Sequence, residues 1–444
     1  MVSLKILPRA SAESWTTAPM CTRHVLPGSP LNRLALVMLT VGMAASLWLS
    51  FETTKTRLQQ PDLSSFRNFV EHRSGSFHIA HGLHLAFLLP AGLFAWLAFR
   101  PKADQPDPTA SLLLFFVAVG IMTYRGYSMG DLLSTKFVGA TGPVPCMMSM
   151  LIFVGAQRHN WAFLRRLIGA LAIVLAAIVV LVSLSTVLYT RNQAVASLGI
   201  YLNALFFPAA WLLLDHHPNS HTPTILRWTP VIIYAAGTVL VQTRLNVIMI
   251  LALVSGYIYL QNKRGRGLFV ISGIAYASVV LALFLMLLSD SVVGQSLSRS
   301  ADLFRARMND DSRTGQLVYF FRDLQPAELI LGRGAQAVWT WGPLRWTGGT
   351  DVGYLSLMLF GGIPLLLTYY LVHLARAFCC ARNPGASSHA ACAIIVLLWA
   401  LRMFSSSYPS FTIDYYVVLL CVGGCFAWPR MRPLTRTVRG AALV

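Results

Sequence analysis

Hydrophobic and polar residues are arranged along the chain in long alternating blocks. Apolar runs long enough to cross a bilayer, which takes about 17 to 25 residues, are separated by shorter polar intervals. This pattern predicts an all-α, polytopic integral membrane protein with about twelve transmembrane helices. The predicted spans are residues 34–51, 79–99, 110–127, 137–156, 167–189, 196–214, 229–241, 245–260, 268–288, 352–375, 390–404 and 412–428.

One polar interval, residues 290–351, is much longer than the others. It contains seven arginines and no lysine. The planar guanidinium group matches phosphate and carboxylate oxygens, which a lysine ammonium does not. Two interpretations stay open: an anion-binding surface, or a solvated loop whose arginines pair with its own acids. Those acids are Asp302, Asp310, Asp311, Asp323 and Glu328.

The same interval contains the pattern of a short amphipathic helix. Asp310, Asp311 and Ser312 are typical N-cap residues, and Pro326 ends the apolar run that follows. Gly332 and Gly334 then indicate a tight backbone. We expect the helix to lie at the outer membrane interface. Its apolar positions are Leu317, Phe320, Phe321 and Leu324.

Tryptophans follow these glycines at positions 339, 341 and 346. They are typical of an interfacial aromatic belt, and stacking on sugar rings is the alternative.

Composition supports a membrane protein. Of the 444 residues, 56% are hydrophobic and only 11% are charged, with a mean hydropathy of +0.61. Soluble domains carry about a quarter charged residues. The net charge of +19 lies in short runs between apolar segments, which indicates membrane orientation rather than binding to nucleic acid.

The basic residues of the short loops predict that both termini are cytoplasmic. The chain then divides into a basic cytoplasmic segment (1–33), transmembrane helices 1–9 (34–289), an outer loop (290–351), transmembrane helices 10–12 (352–428) and a basic cytoplasmic tail (429–444). The arginine-rich loop faces outward, which in a bacterium with two membranes means the periplasm.

Three residues at the outer boundary could carry chemistry. Arg244 lies between two spans, Arg313 opens the amphipathic helix and Asp351 directly precedes the tenth span. An arginine at membrane depth is costly and indicates function unless it reaches the headgroups. The arginines could hold a departing diphosphate, and Asp351 could take the proton of an attacking hydroxyl.

Short motifs around these residues resemble a known family. Thr243-Arg244 opens a span, Arg313 is followed by Leu331-Gly332-Arg333-Gly334, and Thr350-Asp351-Val352-Gly353-Tyr354-Leu355 precedes a glycine pair in an apolar run. Over residues 225–375, this order is similar to the Wzy-type O-antigen polymerase and O-antigen ligase superfamily. Asp351 stands where ligases usually carry histidine, which favours a polymerase.

The resemblance implies a glycosyltransferase of the bacterial inner membrane that needs no metal or other cofactor. Its substrates would be undecaprenyl-diphosphate-linked oligosaccharides, and a chain-length regulator and a flippase would be partners besides the lipid bilayer. It marks Asp351, Arg244 and Arg313 as catalytic, with Arg333 and Tyr354 binding substrate. Ligase activity is the alternative within the family, and a lipid-linked oligosaccharide flippase is the alternative outside it.

Other polar residues near the membrane leave further alternatives open. Arg125 could line a substrate groove. Arg402 could assist anion binding, or pair with Asp351 or Asp414. His373 would be the nearest intramembrane histidine for a membrane acyltransferase. His78, His81 and His84 are a weak metal motif, and the seven cysteines lack metal or disulfide spacing, which indicates apolar fillers.

Overall fold

The computed structural model describes thirteen stretches of the chain, and almost all of them are helical. They are residues 28–59, 75–103, 105–128, 143–188, 205–215, 222–241, 244–261, 312–335, 337–341, 344–347, 352–381, 387–404 and 413–427.

The helices of the first part of the chain end before the arginine-rich loop. They are α1 (Pro30–Gln59), α2 (Gly75–Ala98), α3 (Thr109–Ser128), α4 (Pro143–Met147), α5 (Ile152–Ala156), α6 (Trp161–Leu188), α7 (Phe206–Leu214), α8 (Thr224–Val241) and α9 (Arg244–Gln261). Short 3₁₀ turns, Met148–Leu151 and Arg158–Asn160, connect α4 to α5 and α5 to α6.

The second part contains the loop and the last membrane helices. Its elements are α10 (Ser312–Asp323), α11 (Pro326–Leu331), β1 (Val338–Trp341), β2 (Leu344–Thr347), α12 (Gly353–Tyr369), α13 (Ala375–Ala381), α14 (Ser387–Arg402) and α15 (Ile413–Phe426). A π-helical turn, Tyr370–Leu374, joins α12 to α13.

Five of the described helical stretches are long and apolar enough to cross a membrane: Pro30–Glu52, His78–Ala98, Thr109–Tyr127, Arg158–Leu181 and Gly353–Ala381. Shorter apolar helices cover Pro143–Ala156, Ile248–Leu260, Ser388–Arg402 and Ile413–Phe426. The helical class of a membrane-embedded protein is therefore confirmed.

Local boundaries agree with the sequence pattern in some places and differ in others. Helix α8 ends at Val241 and α9 begins at Arg244, and the two residues between them, within the polar break predicted at 242–244, lie outside the described residues. The predicted span 137–156 is instead interrupted by a 3₁₀ turn over the residues described, 143–156. The predicted span 268–288 and the terminal segments 1–27 and 428–444 lie outside the described residues.

The arginine-rich loop contains the predicted short helix and an additional hairpin. Helix α10 begins at Ser312 and buries Phe320, and Leu324 directly after the helix is buried too, whereas Leu317 and Phe321 remain exposed. Strands β1 and β2 pair antiparallel, with Trp339 opposite Trp346. This hairpin is a local addition to the helical fold that the sequence pattern did not predict.

Two glycines allow helices α5 and α15 to pack closely against each other. Gly155 on α5 faces the Leu420 backbone on α15, and Gly423 on α15 faces the Ile152 and Ala156 backbone on α5. A β-carbon at either glycine would collide with backbone, so the two helices can approach only because both positions lack a side chain. Helices α12 and α3 also pack against each other, and together they position the site described next.

Candidate functional site

Helix α12 is broken in its middle, and the break affects its backbone hydrogen bonds. Gly362 has φ 66° and ψ −162°, a non-helical conformation in the half of φ space that favours glycine. Pro364 lies inside the same helix and has no N–H to donate. In an unbroken helix, Leu359 O and Phe360 O would accept from the N–H groups of Ile363 and residue 364. The bend and the proline leave these two carbonyls in need of other donors.

The segment Gly332–Gly334 of the arginine-rich loop supplies these donors. The Arg333 N–H donates to Leu359 O with an N···O distance of 2.7 Å, and the Gly334 N–H donates to Phe360 O at 2.9 Å. We call residues 332–334 together with residues 359–362 of α12 the glycine clasp. The clasp fixes the backbone of the loop directly onto the broken helix.

Glycine is required on both sides of this clasp. Gly332 has φ 70°, and a β-carbon there would lie 2.6 Å from both Gly361 N and Gly362 N. A β-carbon on Gly362 would lie 2.7 Å from Gly332 N and would also collide with Ile330 O. The two backbones therefore approach more closely than any side chain permits. The tight backbone predicted at Gly332 and Gly334 is present, and its partner is the glycine pair of α12.

The loop is held on its other side by the end of α3. The Ala335 N–H donates to Met122 O at 3.2 Å. Gly334, with φ 87°, lies so close to the backbone of Arg125 and Gly126 that a β-carbon would collide with it. Residues 332–335 thus lie between α3 and α12 and contact both helices. These contacts fix the position of the Arg333 backbone, from which its side chain extends.

The Arg333 side chain forms an ion cluster with two acids of the same loop. Its Nη1 donates to Asp323 Oδ2 at 2.8 Å, and its Nη2 donates to Glu328 Oε2 at 3.0 Å. Nη2 also donates to the backbone oxygen of Asp323 at 2.8 Å, which satisfies a carbonyl in the last turn of α10. The alternative that the loop arginines pair with the loop's own acids therefore holds for Arg333.

Glu328 is the more firmly held of the two acids. Its carboxylate also accepts the Gln325 backbone N–H at 2.9 Å, where Gln325 is the N-cap of α11. Burial alone would raise the pKa of Glu328. Hydrogen bonds from Arg333 and Gln325, with the positive charges of Arg333 and Arg125, outweigh that effect and hold its pKa below the ordinary value. Glu328 is therefore ionised at neutral pH.

Arg125, predicted to bind substrate, lies next to the Arg333 cluster. It is in the last turn of α3, its backbone contacts Gly334, and its charge acts on the Glu328 carboxylate. Arg125 and Arg333 are distant in sequence, but the packing of residues 332–335 between α3 and α12 brings them close together.

Arg402, also predicted to bind substrate, forms an ion pair inside the protein. Its Nη1 donates to Asp414 Oδ2 at 2.8 Å, and the exposed fractions of the two side chains are 7% and 1%. The guanidinium carbon lies 5.5 Å from the ring centroids of both Phe206 and Trp399. Of the partners that the sequence left open, Asp414 is thus one that Arg402 binds.

Tyr354 lies at the start of α12 and connects it to α14. Its hydroxyl donates to Ala400 O at 2.7 Å, and its ring packs edge-on against Phe404 at a centroid distance of 4.9 Å. The Gly353 N–H donates to Met403 O at 2.8 Å. The beginning of α12, directly after Asp351, is therefore fixed against the end of α14 that carries Arg402.

The three residues predicted to be catalytic are only partly covered. Arg244 is the first residue of α9 and Arg313 is the second residue of α10, but their side chains are outside the described part. Asp351 lies outside the described residues altogether. Their grouping into one site stays a prediction.

His373 belongs to a buried hydrogen-bond network instead of an accessible site. Its Nδ1 is 3.1 Å from Tyr369 O and donates to it, so in the neutral ring Nε2 is an acceptor. Ser149 Oγ and Tyr415 Oη lie 3.3 and 3.4 Å from Nε2. His373 is only 1% exposed, which gives the acyltransferase alternative no route for a substrate.

The histidine motif of α2 does not form a metal centre among the described residues. The rings of His81 and His84 lie 5.0 Å apart, and His84 packs against Tyr416. Within the described stretches, no group of three or more histidine, cysteine or acidic side chains is arranged to hold a metal ion.

Sequence reasoning missed the link between the glycine-rich segment and the break in α12. The signal was present as Gly361-Gly362-Ile363-Pro364 inside an apolar run, because a glycine pair followed by proline interrupts helical hydrogen bonding. In comparisons with known proteins, no family model matches the chain and no curated protein is similar to it in sequence. The function is therefore inferred from the residues of the chain itself.

Proposed function

We propose that this protein is a polysaccharide polymerase. It would join undecaprenyl-diphosphate-linked oligosaccharide repeat units into exopolysaccharide or O-antigen at the outer face of the bacterial inner membrane. In this proposal about twelve helices span the bilayer, both termini are cytoplasmic, and residues 290–351 form a periplasmic loop. The chain acts with no metal, and a flippase and a chain-length regulator supply and limit its substrates.

The observation that most supports this proposal is the glycine clasp. It joins Gly332-Arg333-Gly334 to the first half of α12, and these two segments contain motifs that resemble the polymerase and ligase superfamily. A transferase needs its phosphate-binding and hydroxyl-binding groups held in one fixed geometry. The exposed apolar side chains of Leu317 and Phe321 on α10 further support a loop that lies at the membrane interface.

The proposed reaction exchanges one bond for another at the anomeric carbon of the donor sugar. A hydroxyl oxygen at the non-reducing end of the acceptor unit attacks that carbon, and the bond from carbon to the diphosphate oxygen breaks. The diphosphate leaves with the electron pair and is stabilised by Arg244 and Arg313, with Arg333 helping to hold it. Asp351 orients the attacking hydroxyl and accepts its proton.

Two other functions are alternatives to a polymerase. An O-antigen ligase would use the same chemistry but transfer the finished polymer to lipid A core. A lipid-linked oligosaccharide flippase is favoured by the break in α12 and the interrupted helices α4 and α5, because discontinuous helices are common in transporters. The break in α12, however, is filled by loop backbone, which leaves its freed carbonyls satisfied.

Purified protein in liposomes, given lipid-linked repeat units and no nucleotide sugar, tests the proposal. Wild type should produce a ladder of glycan lengths on a gel. Arg244→Ala and Arg313→Ala should each reduce the rate at least about 100-fold, as expected when a group that stabilises developing charge is lost. Arg322→Ala is the matched control, because Arg322 is an exposed arginine on the same helix as Arg313.

Each contrary outcome identifies an alternative. If wild type forms no ladder but moves glycan onto added lipid A core, the protein is a ligase. If wild type only carries intact units across the bilayer, it is a transporter, and the assignment of the three catalytic residues is wrong.

A further inference from the structure

The acids bound to Arg333 differ in how strongly the fold holds them. Glu328 accepts from both Arg333 and the N-cap backbone of α11, so it has a structural role that does not depend on Arg333 alone. Asp323 is the last residue of α10. A negative charge at a helix carboxyl end is unfavourable, because the helix dipole is negative there.

Asp323 is also the more accessible of the two acids. The exposed fractions of the side chains are 32% for Asp323, 22% for Glu328 and 17% for Arg333. Of the two carboxylates bound to the guanidinium, the one on Nη1 is therefore the more open to solvent.

The loop around Arg333 does not depend on the Asp323 carboxylate. The Arg333 N–H is held by Leu359 O, and Nη2 binds the Asp323 backbone oxygen and Glu328. If the Asp323 carboxylate left, the guanidinium would keep its position and offer Nη1 to another anion. A second positive charge, Arg125, lies close enough to act on Glu328.

We propose that Asp323 occupies the place of a substrate phosphate on Arg333, and that a diphosphate group displaces it. A phosphate oxygen would accept a charge-assisted hydrogen bond from Nη1 in place of the Asp323 carboxylate, whose ion pair with Arg333 is weak because it is partly exposed. The exchange keeps the guanidinium paired when no substrate is bound, and it makes anion affinity depend on Asp323. This inference rests on the proposed function, since it takes the diphosphate of the lipid-linked donor as the natural ligand.

The test measures binding of inorganic pyrophosphate to the full-length protein in detergent by titration calorimetry, with no glycan present. Asp323→Asn removes the competing charge while keeping the shape, and it should bind about two- to fivefold more tightly than wild type, as expected from losing a partly exposed ion pair. Arg333→Gln should bind more weakly than wild type, with the remaining affinity supplied by Arg244 and Arg313 of the proposed site. Arg322→Gln, at an exposed arginine beside Asp323, should bind like wild type.

A second variant keeps the result interpretable if Arg333→Gln does not fold. Arg333→Lys retains the charge but lacks the fork of donors, so it should bind more weakly than wild type and show a smaller gain when combined with Asp323→Asn. Wild-type affinity in Asp323→Asn, or undiminished binding without Arg333, would overturn the inference.

The outcomes separate this inference from the proposed function. If affinity changes as expected but no glycan ladder forms, the anion exchange stands and polymerase activity does not. If the ladder forms but Asp323→Asn binds pyrophosphate like wild type, the polymerase stands and the exchange does not.

Discussion

Within the described residues, Arg402 and Arg333 both pair with acids but differ in burial, and that difference separates a structural role from the exchangeable one proposed for Arg333. Arg402 and Asp414 are almost completely buried, with the guanidinium packed near two aromatic rings. Arg333 and its two acids are partly exposed at the rim of the glycine clasp. When a buried charge loses its partner, water cannot take the partner's place. An exposed charge that loses its partner can be solvated or can bind another ion.

The largest effect is expected from breaking the buried pair. Arg402→Met leaves the Asp414 carboxylate uncompensated, and it should lower the free energy of unfolding by about 3–5 kcal/mol. The measurement is thermal or denaturant unfolding of the purified protein in detergent. The double variant Arg402→Met with Asp414→Leu removes both charges and should recover most of that loss.

If Arg402→Met were as stable as wild type, burial would not be what distinguishes the two arginines. The comparison with Arg333 would then lose its basis.

An intermediate effect is expected from the backbone of the glycine clasp. Gly362→Ala forces a β-carbon into a positive-φ position and against Ile330 O, which should cost about 2–3 kcal/mol. Faster hydrogen exchange at the backbone amides of Arg333 and Gly334 should accompany the loss, because those amides bind α12. This result would show that the exposed ion cluster depends on a rigid backbone beneath it.

Gly120→Ala is the matched control for this substitution. Gly120 lies in α3, where a β-carbon meets nothing within 4 Å, and alanine is the better helix former. Unchanged exchange at Arg333 and Gly334 in Gly362→Ala would contradict the clasp.

The parts of this fold that could be predicted from the sequence are those set by neighbours along the chain. Apolar length predicts the long helices, and apolar spacing predicts α10. Glycines 332 and 334 also indicate a tight backbone from their identity alone.

Contacts between distant segments could not be predicted in the same way. The clasp joins residues 332–334 to residues 359–362, and Arg402 binds Asp414 across two helices. Neither pairing leaves a trace in local periodicity, because each depends on how separate elements pack. The grouping of Arg244, Arg313 and Asp351 is of the same kind, and it stays a prediction.

The smallest effect is expected in the exposed ion cluster, from the pH dependence of Glu328. Its pKa is below the ordinary value of 4.5 in the folded protein, so the ionised form stabilises the fold. That contribution is complete above the unfolded pKa and is lost as pH falls below about 4.5 toward the folded pKa. Because the cluster is partly exposed, the loss should stay below about 1 kcal/mol.

Hydrogen exchange at the backbone amides of α11, corrected for the intrinsic effect of pH, measures this loss. Protection in wild type should stay constant from about pH 7 to pH 5 and decrease below about pH 4.5. Glu328→Gln cannot ionise, so its protection should be lower at neutral pH and should no longer change over the acidic range. An equal acidic decrease in both proteins would assign the titration to another group, and the Arg333 cluster would then contribute no measurable stability to the loop.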